Sequence, residues 1–127
     1  MSINLSWAFN VAVPGGPRMS LVNTPEIKVD AYDLVTVTLP ASATKVAVNL
    51  QPSSTAGDVV LLALESSAYD KTVTYDPGGV THALDGPVLL VGPGAVGLLG
   101  TTPPTKLTFD NGLTKPITVQ IFVGRKV

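Results

Sequence analysis

Apolar and polar residues alternate along the start of the chain. The odd-numbered positions there are large and apolar: Ile3, Leu5, Trp7, Phe9, Val11 and Val13. Side chains two positions apart share one face of a β-strand, so the pattern predicts a single long strand over residues 3–13 with one apolar face. Trp7 and Phe9 belong to that face, which favours a place in the core. The sequence PGGP at residues 14–17 is predicted to end the strand.

Short apolar or alternating segments recur along the rest of the chain, each bounded by turn residues. They predict strands over residues 34–39, 45–50, 59–64, 72–75, 80–84, 88–91, 106–109 and 117–123. Residues 59–64 are apolar at every position. This favours a central strand that is covered on both faces.

Two turns are predicted from their residue types. The sequence DPGG at residues 76–79 is a strong turn signal, and it predicts that residues 80–84 return beside residues 72–75. Asn111-Gly112 lies between two alternating segments, and both residue types tolerate positive φ. It predicts a tight hairpin joining residues 106–109 to the strand that begins at Ile117.

These elements predict an all-β fold. The chain has eleven prolines and twelve glycines, which disfavour long helices. Short strands with regular turn signals predict a single-domain β-sandwich of about eight short antiparallel strands. Strand count does not encode strand order, so jelly-roll-like and immunoglobulin-like arrangements both remain open. The 127 residues suit one domain, in which residues 1–17 are predicted to be an N-terminal strand or arm that pairs with a neighbour.

Composition adds a reason to expect partners. Charged residues make up 13% of the chain, the net charge is −1, and the mean hydropathy is +0.37. A typical domain is about 25% charged, so this surface is either covered by partner subunits or is a Thr/Ser-rich surface that dissolves without charges. No basic footprint for nucleic acid is present. No signal peptide or transmembrane segment is predicted, and the lack of cysteine excludes thiol chemistry and disulfides.

One glycine-rich segment resembles a cofactor site. Residues 92–97, GPGAVG, match the dinucleotide fingerprint G-x-G-x-x-G. That site needs a following helix, which the prolines at 103 and 104 would break, so we interpret the segment as a flexible glycine-rich loop. Its apolar residues Ala95, Val96, Leu98 and Leu99 either contact a neighbouring subunit or fold back over the end of the sandwich.

The ionisable residues predict no catalytic, cofactor or metal site. His82 is the only histidine, and it is interpreted as a solvated loop residue since no nucleophile accompanies it. The acids mostly lie at strand ends, where turn aspartates cap backbone N–H groups. Glu26, Asp30 and Asp33 are the nearest approach to a calcium cluster, but their spacing matches no calcium loop.

The alternation of side chains along residues 117–123 also predicts an interface position. Phe122 alternates out of phase with Ile121 and Val123, so it is predicted on the outer face of its strand. The candidate interface positions are therefore Ile3, Leu5, Ala95, Val96, Leu98, Leu99 and Phe122. A sugar-binding module is the competing interpretation, which needs an exposed aromatic platform or a calcium site, and exposure of Tyr32, Tyr69 and Tyr75 would support it.

The second half of the chain resembles small virion proteins of tailed bacteriophages. The resembling stretches are residues 58–64 (DVVLLAL), 85–100 (DGPVLLVGPGAVGLLG) and 117–125 (ITVQIFVGR). The resemblance implies a non-enzymatic capsid decoration, cement or head–tail accessory protein. It further implies a homo-oligomer, by analogy a trimer, that binds the major capsid protein or another virion protein in particles assembled in the host cytoplasm. No nucleic acid or membrane partner is expected, and a carbohydrate-binding or adhesion module is the alternative.

Overall fold

The computed structural model describes residues 3–22, 26–50, 58–99 and 106–126, and the description is confined to them. The described residues form twelve strands, one helical turn α1 (Pro93–Val96) and a 3-10 turn (Gly97–Leu99). The strands are β1 Ile3–Leu5, β2 Ala8–Ala12, β3 Arg18–Val22, β4 Ile27–Val29, β5 Ala31–Leu39, β6 Val46–Asn49, β7 Asp58–Ser66, β8 Asp70–Asp76, β9 His82–Leu84, β10 Val88–Val91, β11 Lys106–Asn111 and β12 Ile117–Lys126. The fold is all-β, as the alternation predicted.

Eight of these strands form a sandwich of two four-stranded antiparallel sheets. The first sheet runs β10-β7-β12-β5 and the second runs β6-β11-β8-β9. Counting β5 as strand 1 and β12 as strand 8, the orders are 6-3-8-1 and 2-7-4-5. This is the order of a jelly roll, so of the two arrangements left open the jelly roll is the one adopted. The remaining four strands form two separate pairs, β1 with β4 and β2 with β3.

The core lies between the two sheets. The first sheet contributes the inward-facing alternate residues of β12, namely Ile117, Val119, Ile121 and Val123. The second contributes Leu107 and Phe109, both fully buried. As predicted, β7 is a central strand, and most of its side chains are buried on both faces.

The predicted hairpin at Asn111-Gly112 is wrong. β11 pairs with β6 and β8, whereas β12 pairs with β5 and β7, so the two strands lie in opposite sheets. Asn111 is buried at the place where the chain passes from the second sheet to the first. Its Nδ2 lies 3.2, 3.0 and 3.0 Å from the carbonyl oxygens of Leu39, Pro40 and Lys115, and its Oδ1 accepts from the N–H of Leu113 at 3.0 Å. The side chain thus anchors the connection that carries the chain from one sheet to the other.

The predicted turn at residues 76–79 is confirmed, and β9 pairs antiparallel with β8. The Asp76 carboxylate accepts hydrogen bonds from the N–H groups of Gly78 and Gly79 at 2.7 and 2.8 Å. Both glycines have φ of 138°, a conformation that residues with a Cβ rarely adopt. The aspartate and the glycines are therefore both required by this turn.

Acid should weaken this turn. The N–H groups of Gly79 and Gly78 hold the pKa of Asp76 below its usual 3.8. A carboxyl group whose pKa is lowered by folding stabilises the folded state fully at pH values above its pKa in the unfolded chain. This stabilisation is lost as the pH falls through its pKa in the folded state. We expect Asp76→Asn to unfold at lower urea concentration than the wild type at about pH 6, and this difference to shrink by about pH 2. A gap in urea midpoint that stays constant over that pH range would contradict the assignment.

Residues 92–99 are not the flexible loop that the sequence analysis predicted. The backbone turns at Gly92, where φ is 94°, and enters α1 with Pro93 in its first turn. Val96 and Leu99 are buried in the main core. Their burial is what holds the segment in place: the loop folds back over the end of the sandwich at these two residues.

The long N-terminal strand is likewise divided. β1 ends at Leu5 and β2 begins at Ala8, because β1 pairs with β4 while β2 pairs with β3. The two halves of one alternating segment thus have different partners. The helical segments in the described ranges are too short to cross a membrane.

Candidate interaction surface

Residues 8–22 form a hairpin, which we call the arm. β2 pairs with β3 from Ala8 opposite Val22 to Ala12 opposite Arg18, and every residue of both strands is exposed. The connection is tight, with the Val13 N–H donating to the Pro17 carbonyl at 2.9 Å and the Gly16 N–H donating to the Val13 carbonyl at 2.8 Å. The arm is therefore a defined element that lies outside both sandwich sheets.

The arm has one face of large apolar side chains and one mixed face, on which Asn10, Arg18 and Ser20 alternate with Ala8, Ala12 and Val22. Phe9 lies opposite Leu21, and Val11 lies opposite Met19, so these four side chains share a face. Their exposed fractions run from 42% for Phe9 to 58% for Met19. On the other face, the Ser20 hydroxyl donates to Asn10 Oδ1 at 2.6 Å. The prediction that Phe9 lies in the core is wrong: alternation was read correctly, but no layer covers this face within the described residues.

The β1–β4 pair packs on the sandwich next to the base of the arm. Ile27 and Val29 of β4 form a second small core with residues of β7, and Leu5, Trp7 and Phe122 pack against it. This close packing depends on Gly124 of β12. A Cβ at Gly124 would lie 2.9 Å from both Leu5 Cδ1 and Val29 Cγ1. The glycine therefore lets β1 and β4 lie directly on the outside of the first sheet.

The rest of that outer side is not covered by any described element, and we call it the open face. Its aromatic part is a stack of Tyr32 on Phe122, with ring centroids 6.0 Å apart and planes 13° apart. Tyr32 is 53% exposed and its neighbour Leu34 is 61% exposed. By strand alternation and register, the open face comprises Tyr32, Leu34, Thr36, Thr38, Ala63, Glu65, Leu89, Thr118, Gln120 and Phe122.

An apolar groove of about 680 Å³ lies between the arm and this sheet. One wall is Trp7, Phe9 and Leu21, and the opposite wall is Leu89, Val91 and Ala95. Pro87 lines this groove and also a shallower depression of about 470 Å³ that extends over the open face to Leu34 and Phe122. The groove and the depression therefore meet at Pro87, and the polar side chains of Glu65 and Gln120 also line the depression.

The outer side of the second sheet has a different character. Its depression is lined by Lys45, Lys106, Asp76 and Asp110 together with three threonines. The carboxylate of Asp110 accepts a hydrogen bond from the Lys45 backbone N–H at 2.7 Å. Charges of both signs keep this side suited to water, whereas the arm and the open face are almost without charge.

The predicted interface residues divide between surface and core. Leu98 is 77% exposed and Ile3 is exposed, whereas Ala95 and Leu5 are half-buried. Phe122 is half-buried on the outer face, the side that parity predicted. The placement of Val96 and Leu99 is corrected, because burial in the core leaves them no surface to offer a partner. The residues that sequence reasoning missed as surface positions are Val11, Met19, Leu21 and Leu34. Val11 has the same parity as Trp7 and Phe9, for which a place in the core was predicted, whereas Leu34 shares its face with Thr36 and Thr38.

Most of the charged residues lie outside this surface, and Arg18 of the arm and Glu65 of the open face are the exceptions among the described residues. His82 is not a solvated loop residue but lies half-buried in β9, stacked on Tyr75 at 5.3 Å. Burial, and then the charge of Asp85, raises the pKa of Tyr75. Asp33 pairs with the buried Arg125 at 2.8 Å, and the described residues, Glu26, Asp30 and Asp33 included, contain no group of three potential metal ligands.

Comparison with known proteins adds no relative: no family model, curated protein or solved structure matches this chain.

Proposed function

We propose that this chain is a non-enzymatic structural protein of a tailed-bacteriophage particle, namely a decoration or cement protein that stabilises the capsid through contacts between subunits. The observation that carries the proposal is the arm, which presents an apolar face of four large side chains outside the sandwich. Exposed apolar surface that continues over several elements is typical of interaction sites. The partners of this structural protein are other copies of the chain, by analogy in a trimer, and the major capsid protein or another virion protein.

Two further observations support this function. The jelly roll is a fold that viral capsid proteins use, although lectins and cupins share it, so this support is by analogy alone. The sandwich also has two unlike sides. The charged outer side of the second sheet suits solvent, and the arm and open face suit a protein surface. A protein that lies on a shell needs such a division between an attached and a free side.

Incorporation into particles tests the proposal. A tagged chain produced in cells that are assembling phage should co-purify with the particles through a density gradient. Deletion of residues 8–22 should remove it from the particle fraction while the sandwich stays folded, as judged by circular dichroism. Absence of the full-length chain from gradient-purified particles, despite soluble expression, would rule the proposal out.

A carbohydrate-binding or adhesion module is the second candidate, because Tyr32 and Phe122 present a stacked, partly exposed aromatic pair. Sugars stack on such surfaces. Of the other two tyrosines, Tyr69 is 37% exposed, which supports the module, and Tyr75 is 6% exposed, which does not. The two functions differ in one result: glycan-array binding that Tyr32→Ala abolishes would favour the module, whereas the structural protein requires no glycan.

A further inference from the structure

The depression on the open face combines aromatic rings with hydrogen-bond acceptors. It measures about 470 Å³, and Phe122 and Tyr69 line it together with Glu65 and Gln120. The Tyr69 hydroxyl accepts a hydrogen bond from the Ser66 backbone N–H at 3.1 Å, which fixes the end of its side chain. Rings and acceptors in one depression suit a ligand that presents N–H or O–H donors on a flat body.

Strand pairing places these side chains next to one another. Glu65 of β7 lies directly opposite Gln120 of β12, and the Cβ atoms of such a pair are about 4.5–5.5 Å apart. Phe122 is two residues further along β12, so it projects from the same face on the diagonal to Glu65. Tyr32 stacks on the Phe122 ring, with the ring centroids 6.0 Å apart. A carboxylate, an amide and an aromatic pair thus occupy adjacent positions.

Glu65 carries the only charge among the residues that line the depression. Within the described ranges, neither the Glu65 carboxylate nor the Gln120 amide has a hydrogen-bond or ion-pair partner. The other lining residues are uncharged, so no lysine or arginine of the depression competes for Glu65. The charge of the depression therefore favours a cationic ligand.

We propose that this depression binds an arginine side chain of a partner protein. A guanidinium group carries five N–H donors and no acceptor, and it pairs with a carboxylate through two parallel hydrogen bonds. Its flat face stacks on aromatic rings. Glu65 supplies the carboxylate, the Gln120 carbonyl oxygen is a further acceptor, and Phe122 and Tyr69 supply the rings. A lysine ammonium matches less well, because it has no flat face and is more strongly hydrated.

This inference rests on the proposed structural function only in taking the partner to be a protein. It adds to that function the kind of side chain that the partner presents to the open face. Charge complementarity carries the choice of partner, since the depression offers one unpaired carboxylate in surroundings that are otherwise uncharged.

An NMR titration of the full chain with L-argininamide tests the site. The backbone amide signals of residues 63–65 and 120–122 should shift along a saturating curve, with a dissociation constant in the millimolar range that is typical of a single side chain. Citrullinamide is the matched ligand control, because it has nearly the same shape without the charge. It should bind at least about fivefold more weakly.

Glu65→Gln is the test variant. It removes the charge at an exposed position while keeping the shape of the side chain, so the fold should persist. The dissociation constant for L-argininamide should rise by about tenfold, since a charge-assisted pair becomes a neutral hydrogen bond. Glu26→Gln makes the same change at the only other glutamate of the chain, which lies outside the depression, and it should leave the dissociation constant unaltered.

Several outcomes would overturn the inference. One is an equal dissociation constant for the wild type and Glu65→Gln, and another is equal binding of L-argininamide and citrullinamide. Neutral sugars that shift these signals when L-argininamide does not would assign the depression to a carbohydrate module. Signals of the depression that shift when the protein alone is diluted would assign it to a second copy.

Failure of the proposed phage function would appear differently. A chain that binds L-argininamide through Glu65 but is absent from gradient-purified particles would reject the structural function and leave the arginine site in place. A chain that is present in the particles but does not bind L-argininamide would reject the arginine site alone.

Discussion

Replacing Asn111 by aspartate should lower the free energy of unfolding of this domain by about 3–5 kcal/mol, a large part of its stability. The Nδ2 group of Asn111 faces three carbonyl oxygens, those of Leu39, Pro40 and Lys115, within 3.2 Å. Aspartate has nearly the same shape but no N–H to donate. Its charge would be buried against three partial negative charges, since Asn111 is only 1% exposed.

Urea unfolding at neutral pH measures this effect. Small domains are stable by about 5–15 kcal/mol, so a loss of this size should be visible as a large fall in the urea midpoint or as failure to fold. Asn10→Asp is the matched control, because its exposed Oδ1 accepts the Ser20 hydroxyl and a carboxylate oxygen can do the same. A midpoint for Asn111→Asp equal to that of the control would mean that Asn111 does not anchor the crossing.

The Asn111-Gly112 pair also shows where sequence reasoning ends. Local residue types predicted a hairpin, and the chain does change direction there. Local residue types do not encode which sheet the next strand joins. That depends on partners distant in the sequence, such as β5 and β7, which pair with β12. The inward parity of β12 was predicted correctly, since alternation is a property of the strand itself. Strand order is a property of the whole fold.

The interaction surface was predictable only in part for a related reason. Alternation identifies an apolar face but does not say whether another layer covers it. Leu107 on β11 and Met19 on β3 are both large apolar residues of short strands, yet one is fully buried and the other is 58% exposed. The low share of charged residues in the chain predicted a surface that partner subunits cover. The outward position of Phe122 was predicted from the alternation of side chains along its strand. The exposure of the arm was predicted neither from the low charge nor from the alternation.

Gly124 provides the prediction that connects the fold to this surface. We expect Gly124→Val to lower the free energy of unfolding by about 1–3 kcal/mol, the usual range for an overpacked site. Its side chain would meet Leu5 and Val29, each 2.9 Å from the Cβ position, with Leu61 3.6 Å away. Leu5 and Val29 belong to the β1–β4 pair, whereas Leu61 is part of the sandwich. Of these neighbours, the small β1–β4 pair is the one with freedom to move.

The expected structural result is therefore local. Amide hydrogen exchange should accelerate in β1 and β4 while the central strands β7 and β12 stay protected, because these two strands pair within the first sheet. Gly97→Val is the control, since Gly97 has an ordinary φ of −62° and its Cβ position meets no atom within 4 Å. β2 begins three residues after β1 ends, so release of β1 should also free the base of the arm and weaken association between copies. Unchanged exchange in β1 and β4 would show that the glycine does not hold this pair, and the arm would then owe its position to the groove contacts of Trp7, Phe9 and Leu21 alone.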